Sequence, residues 1–550
     1  MKRVFIFTVL MTSMFSQLWA TGLVTNTNQS AKFTRLQNRN ASTGIDAVYY
    51  NPAGVSRLGD GLFFSLNNQI ISQKKTVTND FPYLNGKPKE YLGKVSAPLY
   101  PGIYAAYNTG NFSFSFGFNP IGGGGGAKYD IGLPSFEMPI SAIPASLTDA
   151  KIPTSQYSAD IVFEGTSTYF GYQLNAAYKI TDQLSLGLGV RMVTAKNTYN
   201  GSIENIKINP NYTTFGTNYT GGMVSATDFF QDGNNTLQNG SALLTQLSQG
   251  AAKTSTDLNT AINAGLPAGT SVPDFMAGAG MTETEKTNFA TMLGAAGYPD
   301  ITVLNVGEVA AILEGAAPVF AATAQEYATT AQVMAANSAA TKDTYADVEQ
   351  TGRGFTPIIS INYTPSEMFN FSLRYEFKTK LELTTKVFDN KSAGIFVDGA
   401  KSIADMPAML AFGAEIKPVT SLLVAVTLNT FFDKNVDYSN GAGIDMIKRN
   451  YLEYGLGVEY NFGLLRASAG WLGTNTGVLP AYQNDQRFSS NSNSFGLGLG
   501  YRISPMLDLN VGGQYSINKD YPKTYTGYTE TYGKKTFILG IGLDFYFGKK

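Results

Sequence analysis

Residues 537–547 read Phe537-Ile538-Leu539-Gly540-Ile541-Gly542-Leu543-Asp544-Phe545-Tyr546-Phe547. In an extended strand, successive side chains point to opposite faces. One face then carries Phe537, Leu539, Ile541, Leu543, Phe545 and Phe547. The other carries Ile538, Gly540, Gly542, Asp544 and Tyr546. The first face is oily with aromatic ends, and the second is mostly small or polar. Lipid outside and water or a plug inside would sort side chains in this way.

The pattern recurs along the chain. In 111–120, Phe112, Phe114, Phe116 and Phe118 alternate with Ser113, Ser115 and Gly117. In 368–378, Phe369, Phe371, Leu373, Tyr375 and Phe377 alternate with Asn370, Ser372, Arg374, Glu376 and Lys378. In 495–503, Gly496, Gly498, Gly500 and Arg502 occupy the inner register. Charges fall on that register, as burial against lipid requires. Fourteen candidate strands follow, with cores at 61–78, 97–107, 111–121, 160–179, 183–203, 353–363, 368–386, 404–417, 421–437, 450–462, 464–474, 493–503, 507–518 and 535–547. Short turns alternate with long loops around 80–95, 122–158, 204–352, 387–403, 438–449, 475–492 and 519–534. That asymmetry predicts a bacterial outer-membrane barrel with its short turns, and both termini, in the periplasm.

Composition fits. The chain is 43% hydrophobic, with 35 Phe, 32 Tyr and 58 Gly, suited to aromatic girdles and curved strands. Lys2 and Arg3 followed by an apolar stretch predict a signal peptide over residues 1–20. No stretch beyond it has the roughly 20 unbroken apolar residues of a spanning helix. The charge balance, 40 Lys and Arg against 41 Asp and Glu, implies no nucleic-acid partner. Cysteine and histidine are absent. Disulfides, thiolate chemistry, His-bearing zinc sites and histidine-dependent hydrolysis are thereby excluded. No enzymic constellation, metal site or cofactor is expected.

Two segments exceed a bare barrel. Residues 21–60 are polar, yet contain Val48-Tyr49-Tyr50 followed by Asn51-Pro52-Ala53-Gly54, an apolar patch ending in a turn. Composition leaves a plug and a disordered tail both open. The insertion 204–352 begins as an Asn/Gly/Thr-rich loop and becomes helix-like over 241–263, 282–296 and 306–340, with Thr282 and Glu285 forming a capping box. Its Ala310, Ala311, Ile312, Leu313, Val319 and Phe320 suggest either a hydrophobic landing surface or a self-packed cap.

The segment from Thr21-Gly22 through Asp46-Ala47-Val48-Tyr49-Tyr50-Asn51-Pro52-Ala53-Gly54, directly before a strand, resembles the N-terminal hatch of FadL-type outer-membrane transporters. That family also includes transporters of aromatic hydrocarbons. The resemblance implies an all-β, 14-stranded antiparallel transmembrane barrel (61–550), closed by a hatch (21–60). It also implies a partly helical extracellular insertion, a monomer in outer-membrane lipid, and passive uptake of hydrophobic small molecules, long-chain fatty acids first among them. Asn51, Pro52, Ala53 and Gly54 become hatch and ligand residues. The family's inward kink in its third strand falls on Phe118, Asn119, Pro120, Gly122, Gly123 and Gly124. Chemistry agrees, since Pro120 lacks a ladder donor. A glycine-rich loop start would read the same way. One departure concerns the carboxylate partner. The expected position near the top of strand five matches Asn200-Gly201, leaving Lys196, Arg191, Arg374 and Lys378 as candidates. An adhesin or receptor barrel without transport is the alternative from a different class.

Overall fold

The structure, a computed structural model, describes residues 26–389 and 396–548; the expected leader and the hatch residues Thr21 and Gly22 lie outside them. The chain forms two units. Of the described residues, one comprises those within 26–141, 159–204 and 343–548, and the other 142–158 and 205–342.

In the first unit, fourteen wall strands form one antiparallel sheet among the described residues. They are β1 Gly61–Asn79, β2 Lys89–Ala97 continued by Pro101–Thr109, β3 Phe112–Tyr129, β4 Tyr157–Lys179 and β5 Leu184–Ile208. Next come β6 Thr344–Ser366, β7 Phe369–Glu376 continued by Glu382–Val387, β8 Lys401–Ile403 continued by Met409–Val419, and β9 Leu422–Phe431. The last are β10 Tyr451–Asn461, β11 Leu465–Asn475, β12 Ser492–Ser504, β13 Leu507–Asn518 and β14 Tyr528–Gly548. β14 pairs with β1 from Gly61↔Gly548 to Asn79↔Glu530, which closes the barrel.

The two faces divide as 537–547 implies. Phe537, Ile541 and Phe547 are exposed on the outer wall, while Gly540, Gly542 and Asp544 are buried inside. Leu62, Phe64, Leu66, Phe112, Phe114, Leu497 and Leu499 are likewise exposed. So continuous an apolar exterior is stable only in lipid.

Several strands run further than their expected cores. β2 begins at Lys89, within the expected loop 80–95, and β14 begins at Tyr528. These extensions lie above the lipid band, where water meets the outer face and apolar alternation is no longer selected. The third strand does not end at its glycine run, as expected, but continues to Tyr129.

Inside the barrel, residues 26–58 fold as a hatch. It has a helical turn Ala31–Arg35 capped by Ser30, a second turn Ala47–Tyr50, and a 3-10 turn Pro52–Leu58. Phe33, Ile45, Val48, Tyr49, Tyr50 and Val55 share one buried cluster with Tyr104, Ile121, Tyr169, Val193, Leu381 and Met406 of the wall. Inner-face glycines let the hatch backbone approach. A Cβ on Gly413 would lie 2.4 Å from the Ala41 nitrogen, and one on Gly187 would lie 2.9 Å from the Ala53 nitrogen.

The second unit is chiefly a helical hairpin, Ala226–Asn263 against Val306–Ala340, with the shorter helices Val272–Gly278 and Glu283–Ala295 between. The first helix starts fifteen residues before the expected 241, capped by the Ser225 hydroxyl, so the early insertion is not all loop. Ser241, Ser248 and Ser255 donate to the carbonyls of Ala324, Ala317 and Ala310 at 2.8, 2.8 and 2.9 Å. This seven-residue ladder of small side chains brings two antiparallel helices into close contact. Thr282 and Glu285 form the expected capping box. Ala310, Leu313 and Phe320 are buried in the unit's own core, and Val319 alone of the large side chains named above is exposed. Much of the insertion's apolar surface is therefore packed within itself, while Leu243, Val303 and Val319 remain exposed. Val306–Ala340 is long and apolar enough to cross a membrane; Val309, Leu313 and Phe320 are packed in the unit's core, while Val319 and Tyr327 are exposed.

Candidate functional site: hatch, cavity and wall gap

Asn51, Pro52, Ala53 and Gly54 are fully buried at the short-turn end of the barrel. The Asn51 side chain accepts from the Gly54 amide at 3.2 Å and donates to the Ser42 carbonyl at 3.1 Å and to Asn362 Oδ1 at 2.7 Å. The Ala53 amide donates to Ser360 Oγ at 2.9 Å. A capping side chain, a proline-fixed turn and a close-approach glycine thus pin the hatch to β6. None of the four lines either inner cavity described below. Their contacts fix the position of the hatch against the wall.

Higher up, buried charges hold the hatch around its circumference. Lys32 pairs with Asp544 of β14 at 2.8 Å, and Arg35 pairs with Glu459 of β10. Arg39 bridges Asp46 within the hatch at 2.9 Å and approaches Glu415 of β8 at 3.8 Å. The Tyr49 ring lies between the guanidiniums of Arg191 and Arg374, each 4.9 Å from its centroid. Glu376 joins that pair, at 2.6 Å from Arg191 and 3.5 Å from Arg374. Pairing of this kind is what makes charge tolerable away from water.

Those contacts occupy the candidate carboxylate partners. Arg191 and Arg374 belong to the Tyr49 clasp. Lys196 pairs with Glu349 at 2.6 Å, and Lys378 pairs with Asp405 at 2.8 Å. The structure does not bring the four together.

The third strand carries an interruption of the wall. Its lower part pairs with β2 up to Ile103↔Phe118, and its upper part pairs with β2 from Val95↔Ala127 to Gly93↔Tyr129. Among the described residues, 119–123 and 126 have no register partner on that side, and β2 is itself broken between Ala97 and Pro101. On the other side, the register with β4 shifts at Pro120, Gly122 and Gly125. Gly123 sits at φ 93°, a conformation that favours glycine. The freed carbonyls are not left bare. The Asn26 amide donates to Ile121 O and its side chain to Gly123 O, both at 2.9 Å. Pro120 O accepts from Gln29 Nε2 at 3.0 Å and from the Tyr100 hydroxyl at 2.6 Å. Asn119 Nδ2 donates to Gln29 Oε1 at 2.5 Å. The start of the hatch therefore supplies the hydrogen bonds that the broken ladder lacks, which a gap in a membrane wall requires.

Beside this gap lies a cavity of about 400 Å³, floored by Asn26, Thr27, Asn28 and Phe33 of the hatch and bordered by Ala97, Tyr100, Gly123 and Ala127 at the gap. Its volume falls in the range of small-molecule sites, about 300–1,000 Å³. Phe163, Tyr199, Leu472 and Ile538 supply apolar wall. Lys75 of β1 and Lys534 of β14 also line it. They are register partners, and neither makes an ion pair among the described residues. Like charges directly opposite each other destabilise a sheet. These two residues were not singled out from sequence, because Lys74-Lys75 and Lys534-Lys535 each place one lysine on either face. A second, water-sized space of about 20 Å³ lies between Asn26, Tyr49, Arg191 and Glu376.

The rim above the cavity rests on a buried acid. Asp433, in the loop after β9, accepts from the Tyr438 hydroxyl at 2.6 Å and from the Tyr451 amide at 3.2 Å. Tyr438 packs with Tyr482, over whose ring Arg487 lies at 4.6 Å. Burial pushes the Asp433 carboxyl up to about 6. The folded loop then binds a proton that the opened loop releases, so its stability falls as pH rises from about 4 through 6. Hydrogen exchange of 432–450 should show more protection at pH 4 than at pH 7.5. Asp433→Asn should flatten that difference.

Together these features define a class: a membrane-spanning barrel stoppered by its own amino-terminal segment, with a binding-sized cavity opening toward a break in the wall. The fold is that of a FadL homologue from Pseudomonas aeruginosa, which superposes with a TM-score of 0.54 at 12% identity, over 96% of this chain and 100% of that one. The toluene transporters TodX of Pseudomonas putida and TbuX of Ralstonia pickettii also match. TodX gives a TM-score of 0.47 at 12% identity, over 95% of this chain and 99% of that one. TbuX gives 0.43 at 16%, over 92% and 94%. No protein-family model matches the sequence, and no curated protein does.

Proposed function

We propose that the chain is an outer-membrane channel for passive, diffusion-driven uptake of hydrophobic small molecules, acting as a monomer with both termini in the periplasm. The observation that carries this reading is the gap at 119–126, held by Asn26 and Gln29 of the hatch and adjoining the cavity. A ligand enters the cavity, the hatch shifts, its hydrogen bonds to Pro120, Ile121 and Gly123 are released, and the ligand leaves sideways between β2 and β3. Lateral exit avoids full transfer of an apolar body into water. At roughly 0.8 kcal/mol per methylene, a sixteen-carbon tail would face about 12 kcal/mol on that path. No group in the route performs chemistry on the ligand.

Long-chain fatty acids are the leading substrates, with Lys75 and Lys534 in place of the earlier four candidates as partners of the carboxylate. Aromatic hydrocarbons are the second reading, favoured by the aromatic wall of the cavity. Binding of hexadecanoate and of hexadecanol to the purified protein separates them. Lys75→Met with Lys534→Met should weaken the acid about tenfold, on the order of 1.4 kcal/mol, and leave the alcohol unchanged. Equal effects on both would remove the headgroup role. Uptake of toluene but of neither long-chain compound would favour the second reading.

A further inference from the structure

The register places four lysines in one row across the outer wall. Lys535 of β14 is opposite Lys74 of β1, Lys74 is opposite Lys94 of β2, and Lys94 is opposite Lys128 of β3. All four are exposed. Cross-strand neighbours of like charge repel, and here the repulsion is repeated over three consecutive strand pairs. Acids relieve it only at one end. Asp130 lies 3.8 Å from Lys94 and 3.6 Å from Lys128, and Glu164 of β4 is the register partner of Lys128. Lys74 and Lys535 make no ion pair among the described residues. Two other exposed lysines on the wall are paired with acids, Lys196 with Glu349 at 2.6 Å and Lys401 with Glu382 at 2.7 Å.

Height gives the row its meaning. On β1 the exposed apolar residues are Leu62, Phe64, Leu66 and Ile70, and on β14 they end at Phe537. Lys74 and Lys535 follow within two rungs, on the long-loop side. The apolar band must contact acyl chains, so the residues just beyond its edge lie among lipid headgroups. We propose that this row is a binding surface for phosphate-bearing lipid of the long-loop leaflet, seated over the gap between β2 and β3. Lys94 and Lys128 form the second paired rung above residues 119–126. A lipid held there by its phosphates would keep its chains against the opening.

This inference rests on the barrel spanning a bilayer, and the test separates the two. Detergent-purified protein is mixed with dioleoyl phosphatidic acid or dioleoyl phosphatidylcholine, and retained lipid is counted by native mass spectrometry. Wild-type protein should retain phosphatidic acid preferentially, and added salt should reduce that preference while inorganic phosphate at equal ionic strength does so no further. Lys74→Gln with Lys535→Gln should weaken retention roughly thirtyfold, at about 1 kcal/mol per surface lysine. Lys196→Gln should not. These side chains are exposed, so the variants fold; should the pair fail, the salt dependence of wild type decides alone. Equal retention of both lipids by wild type overturns the headgroup site and leaves the lipid-facing barrel standing. Retention of neither overturns both.

Discussion

With Ala31→Cys and Gly542→Cys in one chain, uptake of labelled hexadecanoate should stop on oxidation and return on reduction. The pair joins the first hatch turn to β14. A Cβ on Gly542 would lie 2.8 Å from the Ala31 Cβ. A disulfide sets its Cβ atoms about 3.5–4.5 Å apart, so the two backbones need part by under about an ångström. The native chain has no cysteine, so no other bridge competes. Ala31 already donates its amide to Asn67 Oδ1 at 3.0 Å, and its neighbour Lys32 is paired to Asp544 on the same strand. The bridge therefore locks a contact that the resting state makes anyway. Hexadecanoate binding to the oxidised protein should remain, because the cavity is unchanged. Undiminished uptake by the oxidised protein, with the bridge verified by mass, would mean that this part of the hatch does not move and that the channel opens elsewhere.

The parts of this molecule that meet lipid were legible in its sequence, because lipid imposes a strict period of two. Every expected wall strand is present, and the ambiguity lies where the period fails. Lys89–Ala97 escaped as a strand because Glu90, Lys94 and Ser96 face water or headgroups on its outer side. The plug was also foreshadowed. Gly496, Gly498, Gly540 and Gly542 on inner registers make little sense beside an open aqueous pore, and each is approached closely by a hatch residue between Ala31 and Gln37. The candidate cations were less legible. A lysine or arginine on an inner register looks alike whether it awaits a ligand or is paired across the barrel. Arg374 next to Glu376 hinted at pairing, but Asp405 reaches Lys378 only through loop packing, and Lys196, exposed between buried Ala195 and Asn197, lies on the outer register. Lys75 was hidden by the opposite problem, since a doublet shows two lysines without showing which one faces in.

The other large effect belongs to the wall gap. Gly124→Trp should reduce uptake to background while leaving hexadecanoate binding to the purified protein intact. Residue 124 falls in the glycine run between the two blocks of register that join β3 to β2, which end at Phe118 and resume at Ala127. An indole introduced there brings the bulk that the five glycines 122–126 omit. Glycine through such a stretch costs strand stability, roughly 0.5–1 kcal/mol at each position relative to alanine. The wall also gives up hydrogen bonds that Asn26, Gln29 and Tyr100 must replace. A sealed barrel would need none of this, since an unbroken ladder satisfies every backbone group by itself. The expense makes sense if matter passes between β2 and β3. Retained binding with lost uptake would locate the defect in exit rather than entry. Normal uptake at normal surface level would show that the gap is a packing feature of the hatch, and that ligands leave along the barrel axis.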